Sequence, residues 1–243
     1  MISSTRYNGK IFGDFRKALE NEKGLSHLIV FDVCNTLFYS NTTLDFIEFV
    51  LRNNKANLRL FLFFFINKKV SPLFWILLVV EKCAVDNLIR NLSITLLKGI
   101  SKKEIYYFGK RFVKEYLPSK AIPQVHDMLR QAIGAKAEVY LISDSLDPVI
   151  KPLAENFCLN YMAGELEFRD ESFTGRLKPF KEKLKRVDKM REAAGYKRVT
   201  AISDNKSDRR LLETVDAGYA IVHKKRDRTF WQQSASLKQI WLG

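Results

Sequence analysis

The sequence predicts an α/β fold: a doubly wound parallel sheet with a small α-helical cap inserted after its first strand. Three observations carry this. Short apolar runs recur at 28–31, 139–142, 199–202 and 219–222, as strands buried on both faces would read. Helical segments separate them, which makes the strands parallel. Between the first two runs, 43–120 reads almost wholly as helix. The expected division is a core of 1–40 and 121–243 with the cap at 41–120.

The elements follow in order. Residues 1–27 are polar and mixed, with a short helix expected around 15–20. The run Leu28-Ile29-Val30-Phe31 leads straight into Asp32. Chemistry in open α/β sheets sits at the carboxyl ends of strands, so this acid is a candidate. The alternative is a core strand with a capped turn.

Within the cap region, 58–66 is very apolar. Asn67-Lys68-Lys69 interrupts it, and Pro72 opens a second apolar run through Val80. Neither run reaches the ~20 residues that span a bilayer. Two readings stand: a hairpin buried inside the cap, or one lying in a membrane interface. Arg52, Lys55, Arg59, Lys68, Lys69 and Lys82 flank it, as an anionic surface would favour.

Gly99 and Ser101 precede another helix at 102–116, and Pro118 and Pro123 close the region. The next helix, 124–133, aligns Val125, Met128, Leu129 and Ile133 on one face. The run at 139–142 ends in Ser143-Asp144-Ser145, read as a turn whose hydroxyl suits a phosphate oxygen. Residues 163–177 alternate and turn like a β-hairpin.

A helix with Leu184, Val187, Met190 and Ala194 on one face stops at Gly195. Lys181 lies at its start, where a cation needs an anionic partner. The run at 199–202 ends in Ser203-Asp204-Asn205-Lys206-Ser207-Asp208, a second acidic strand tip. The run at 219–222 is read as the last core strand, with the basic tail 223–243 packing on the body.

Composition bounds the partners. The 243 residues carry a formal charge of +14, from 41 Lys+Arg against 27 Asp+Glu. That balance suits phosphorylated substrates or anionic membrane surfaces, and also general solubility. Nucleic acid is not expected, since the charge forms no compact patch interleaved with aromatics. Cys34, Cys83 and Cys158 are odd in number and fit neither a disulfide framework nor a zinc site. With no secretory pattern at the N-terminus, a reduced cytoplasmic setting is expected, or one peripheral to the inner face of the membrane.

Right-handed crossovers would bring Asp32, Ser143, Asp204 and Asp208 to one sheet edge. Carboxylates, a hydroxyl and a lysine there fit a hard divalent cation and a phosphate. In order along the chain, these residues resemble the four motifs of the haloacid dehalogenase (HAD) phosphohydrolase superfamily, over roughly 28–222. Its first motif is an apolar strand followed by D-x-D-x-T. Asp32 and Thr36 match it, and Cys34 stands where the second Asp would be. Ser143 matches the second motif. Asp204 and Asp208 match the D-x-x-x-D of the fourth, with Ser203 in place of the usual glycine. Lys181 best matches the third, with Lys178 and Lys183 as close rivals. The inserted helices look like the small cap of the phosphoserine-phosphatase-like branch. So do Leu96-Leu97-Lys98-Gly99-Ile100-Ser101 and 143–175.

The resemblance implies a Mg²⁺-dependent phosphomonoester hydrolase. Asp32 would attack phosphorus and form an aspartyl-phosphate. Mg²⁺ would be held by Asp32, the main-chain carbonyl of Cys34, Asp204 and Asp208. Ser143 and Lys181 would bind phosphoryl oxygens, with Thr36, Asp144, Ser145 and Asn205 around the substrate. The second Asp of the first motif ordinarily protonates the leaving group, and a cysteine, with a reference pKa of about 8.5, substitutes poorly. Three readings follow: a phosphatase with altered acid catalysis, a phosphoryl transferase, or a silent phosphate-binding module. The implied partner is a phosphorylated small molecule or a lipid-linked phosphate.

Overall fold

A computed structural model describes residues 4–21, 26–84, 86–178 and 182–242. Helix α1 spans Ser4–Asn21, longer than the short segment expected. Strand β1 is His27–Phe31, with every residue buried, as an apolar run covered on both faces requires. The inserted helices follow: α2 (Thr42–Asn53), α3 (Asn57–Asn67), α4 (Pro72–Cys83), α5 (Leu88–Thr95) and α6 (Lys102–Glu115). Asn41 caps α2, accepting from the Leu44 amide at 3.2 Å. Ser101 and Glu104 form a reciprocal capping box at the start of α6.

Helix α7 (Pro123–Gly134) leads to β2 (Glu138–Leu146). Here the reading of Ser143-Asp144-Ser145 as a turn is corrected. The strand continues through all three residues, and its pairing shifts register between Ile142 and Leu146. Ser143 and Ser145 are buried in it, and the Ser145 amide donates to Ser143 Oγ at 3.2 Å. Helix α8 (Asp147–Phe157) and strand β3 (Asn160–Gly164) complete this half. Ala163 and Gly164, expected in a hairpin, finish β3 instead. The hairpin is β4 (Leu166–Arg169) with β5 (Ser172–Leu177).

Helix α9 (Lys183–Ala194) ends on Gly195 in the left-handed conformation, the stop read from sequence. Then come β6 (Arg198–Ser203), α10 (Arg209–Thr214), β7 (Ala217–Val222), α11 (Lys225–Gln232) and β8 (Lys238–Trp241). The tail therefore adds a sixth strand beyond the one read as last. Its polar edge sequence, with Ile240 alone fully buried, carries no apolar run to betray it.

The sheet order is β3-β2-β1-β6-β7-β8, all pairs parallel. The chain moves from β1 to one edge, then returns past it to the other. That makes the carboxyl end of β1 a topological switch point, where such sheets form their crevice. Helix α6 packs on α8 so closely that a Cβ on Gly109 would lie 1.9 Å from the Pro148 carbonyl oxygen. Among the described residues, no single helix is long and apolar enough to cross a membrane.

Candidate active site

Three neighbouring strands, β2, β1 and β6, deliver their ends to one cleft of about 1060 Å³. Asp32 leaves β1 with its amide bonded to the Ile202 carbonyl at 2.9 Å. That bond ties the acid to β6. Asn35 turns the chain with a φ of 50°. Its carbonyl accepts from His223 Nε2 at 2.6 Å. This turn returns Thr36 beneath the strand tips. Thr36 Oγ1 lies 3.3 Å from Asp32 Oδ2 and 3.1 Å from Asp204 Oδ1, and accepts from the Asp204 amide at 3.0 Å. One buried hydroxyl thus holds both carboxylates in register.

Lys183, the first residue of α9, closes the other side. Its Nζ donates to Asp32 Oδ1 at 2.9 Å and to Asp208 Oδ2 at 2.7 Å, and lies 3.8 Å from Asp144 Oδ2. Ser203 Oγ also donates to Asp208, at 2.7 Å, and accepts from the Asn205 amide. Of the three candidate lysines, Lys183 takes the place between the acids. Lys178 is exposed and pairs with Glu165, and Lys181 lies outside the described residues.

Burial governs the charges. It raises Asp32 above the usual carboxylate range, against the pull of Lys183. Burial, then the charge on Asp32, raises Asp204 to about 7. For Lys183 burial favours the neutral amine, but Asp32, Asp208 and Asp144 outweigh it and raise its pKa. Burial and Asp32 push the Cys34 thiol up to about 12. Its Sγ donates to the Ser40 carbonyl at 3.3 Å, so its proton is directed at backbone.

The floor is short of positive charge. Three acids face one lysine, and Asp204 is left to the Thr36 hydroxyl. A divalent cation would supply what is lacking. No three His, Cys, Asp or Glu side chains among the described residues form a complete cage. Mg²⁺ needs no such cage, since it keeps waters and substrate oxygens and takes one or two carboxylates. Asp32 and Asp204 fit that requirement.

Sequence reasoning missed the cap's contribution. Arg90 of α5 reaches into the cleft and donates to the Asp144 carbonyl at 2.5 Å. Asn87 and Asn91 line the same wall. No sequence signal marked them, since α5 mixes Arg90, Asn91, Ser93 and Thr95 with its apolar residues. Ser145, expected near substrate, lines the cleft and also accepts from Thr42 at 2.8 Å, joining β2 to the start of the cap.

A parallel sheet with paired acids and a buried lysine at its switch point, roofed by inserted helices, places the chain among doubly wound α/β proteins with a site at the carboxyl ends of their strands. The particular family follows from comparison with known proteins. The chain belongs to the haloacid dehalogenase-like hydrolases, whose family model matches residues 29–213. No curated protein matches the sequence.

Solved structures share the fold. A protein of unknown function from Bordetella pertussis Tohama I superposes with a TM-score of 0.69 at 19% identity, over 89% of this chain and 98% of that one. A HAD family hydrolase from Salmonella enterica serovar Typhi gives 0.60 at 16%, over 90% and 74%. A phosphoserine phosphatase in the form of a phospho-aspartyl intermediate analogue gives 0.60 at 16%, over 89% and 94%. At these identities the likeness is one of fold.

Proposed function

We propose that this protein is a Mg²⁺-dependent phosphomonoester hydrolase that works through an aspartyl-phosphate on Asp32. Residues 41–120 act as its substrate-selecting cap. The observation that carries this is the Lys183 ammonium seated between Asp32 and Asp208, with Thr36 bridging Asp32 to Asp204. Thr36 and Lys183 each take one oxygen of Asp32, so the carboxylate is oriented before substrate arrives. Attack on phosphorus forms the Asp32 O–P bond as the ester O–P bond breaks.

Ser143 and Lys183 offer donors to the phosphoryl oxygens. Asp208 and Ser203 position Lys183. Asp32, Asp204 and the Cys34 carbonyl would hold Mg²⁺, which would supply charge neutralisation between protein and phosphate. Arg90 reads a further anionic group on the substrate.

Cys34 shapes substrate choice. A thiol with a pKa near 12, its proton on the Ser40 carbonyl, is a poor acid for a leaving alkoxide. The favoured substrates are therefore aryl or acyl phosphates, whose leaving groups need no proton. The same thiol favours a second reading, a phosphate-binding module without turnover.

The test is hydrolysis of p-nitrophenyl phosphate and acetyl phosphate with and without Mg²⁺. Metal-dependent turnover that Asp32→Asn abolishes, together with beryllofluoride trapping, supports the hydrolase. Unchanged turnover in Asp32→Asn overturns it. Phosphate binding without turnover by the natural protein selects the second reading.

A further inference from the structure

Helices α3 and α4 pack against each other and both expose apolar side chains to solvent. On α3 these are Leu58, Phe61, Leu62 and Phe65, at the spacing of one helical stripe. On α4 they are Trp75, Ile76, Val79 and Val80, and no residue of α4 is buried. With Val70 between the helices, these are nine of the twelve large hydrophobic residues that the described residues expose. Phe61 is 62% exposed, Ile76 and Val79 61%, and Val70 93%. Apolar surface gathered in this way marks an interaction site.

The hairpin is also preformed. Trp75 Nε1 donates to the Lys69 carbonyl at 2.7 Å, the Ser71 amide bonds Lys68, and Pro72 opens α4. The two helices meet at a bend of 60°. At 11 and 12 residues, each falls well short of the ~20 that cross a bilayer. Taken together the bent pair has the length and composition of a broken span, and the cations between and beside the two helices favour a position at the surface.

Charge selects the occupant. The hairpin carries Lys68, Lys69 and Lys82, with Lys55 beside it, while Arg59 also donates to the Leu96 and Lys98 carbonyls and Arg52 is paired with Glu48. Its single acid, Glu81, is committed to the Ile89 amide at 2.8 Å. A second copy of the chain would set like charge against like. Anionic lipid headgroups around an apolar interior complement both features.

We propose that the α3–α4 face docks on anionic phospholipid membrane, its apolar stripe in the headgroup–acyl boundary. The docked hairpin is joined to the cleft. Glu81 of α4 anchors the start of α5, and Arg90 on the next residue reaches the site. Substrate at the membrane surface would meet the cap wall first.

The test is cosedimentation of the full chain with vesicles of phosphatidylcholine, with and without phosphatidylglycerol. Binding should require phosphatidylglycerol, fall with added salt, and shift Trp75 emission to shorter wavelength. Phe61→Ser with Ile76→Ser should weaken binding at least tenfold, while circular dichroism and soluble-ester turnover stay unchanged. Asp32→Asn should bind vesicles as the natural protein does, so failure of docking and failure of the catalytic reading are distinguishable. Absence of vesicle binding at low salt overturns the proposal. A dimer by light scattering that the same substitutions dissolve, without vesicle binding, assigns the face to a second copy.

Discussion

At the floor of the cleft, Lys183, Asp32 and Asp208 are almost sealed from water, while on the α3–α4 hairpin Phe61 and Ile76 stand in it. Both regions depart from the usual placement of charge outside and hydrocarbon inside. At the floor, each buried group is satisfied: Lys183 answers two carboxylates, and Thr36 and Ser203 answer the rest. On the hairpin, nothing among the described residues covers the exposed rings. The first departure is hydrogen-bonded within the molecule but still short of positive charge, and the second leaves hydrocarbon uncovered. Local rules fail where function sits, and the manner of failure separates chemistry from contact.

Breaking the floor should have the largest effect. Lys183→Met leaves Asp32 and Asp208 buried without their cation. Loss of one partner from a buried ion pair costs about 3–5 kcal/mol. Burial already holds Asp32 above the usual carboxylate range in the folded state. A raised acid contributes stability that is present below pH ~4 and lost as pH rises through its folded value. Removing Lys183 raises it further. The melting-temperature deficit of Lys183→Met should therefore widen between pH 5 and pH 8, as read by thermal unfolding at both. A constant deficit would mean that Lys183 acts by packing alone.

The two regions also differ in how far they could be read from sequence. The floor was legible because parallel strands buried on both faces leave apolar runs, and Asp32 and Asp204 stand at their tips. The lysine was not, because Lys178, Lys181 and Lys183 crowd six residues and spacing cannot choose among them. Ser143 was legible as a residue but not as strand, since serines at a bulge look like a turn. Arg90 was invisible, as its approach to Asp144 depends on how the cap folds over. On the hairpin, composition made the helices plain but not their orientation. In Phe61-Leu62-Phe63-Phe64-Phe65, all residues look alike, yet Phe63 is buried and Phe61 and Phe65 are not.

A smaller effect is expected at Cys34, on the cleft's own wall. Cys34→Asp places a carboxyl where the thiol now points at Ser40. General acid–base catalysis contributes ~10²–10⁴-fold. Turnover of alkyl phosphates should rise by about 10²-fold, or about 2.7 kcal/mol of barrier. Turnover of acyl phosphates should change little, because their leaving groups gain nothing from a proton. Equal gains on both substrates would show that the aspartate acts on the metal or the nucleophile rather than on the leaving group.

The smallest effect should come from Phe61→Ser, and its value lies beside Phe63→Ser. The residues are two positions apart on α3 and chemically identical. Phe61 is 62% exposed, and Phe63 is 3% exposed within the main core. A surface substitution away from special features usually stays within about 0.5 kcal/mol. Truncating a buried phenylalanine costs about 3–5 kcal/mol. Urea denaturation should therefore leave the Phe61→Ser midpoint almost unmoved and shift that of Phe63→Ser strongly downward. If both variants lose stability, a second copy of the chain covers the hairpin in solution and Phe61 is buried there. If neither does, Phe63 does not pack as described, and the hairpin's docking face must be redrawn.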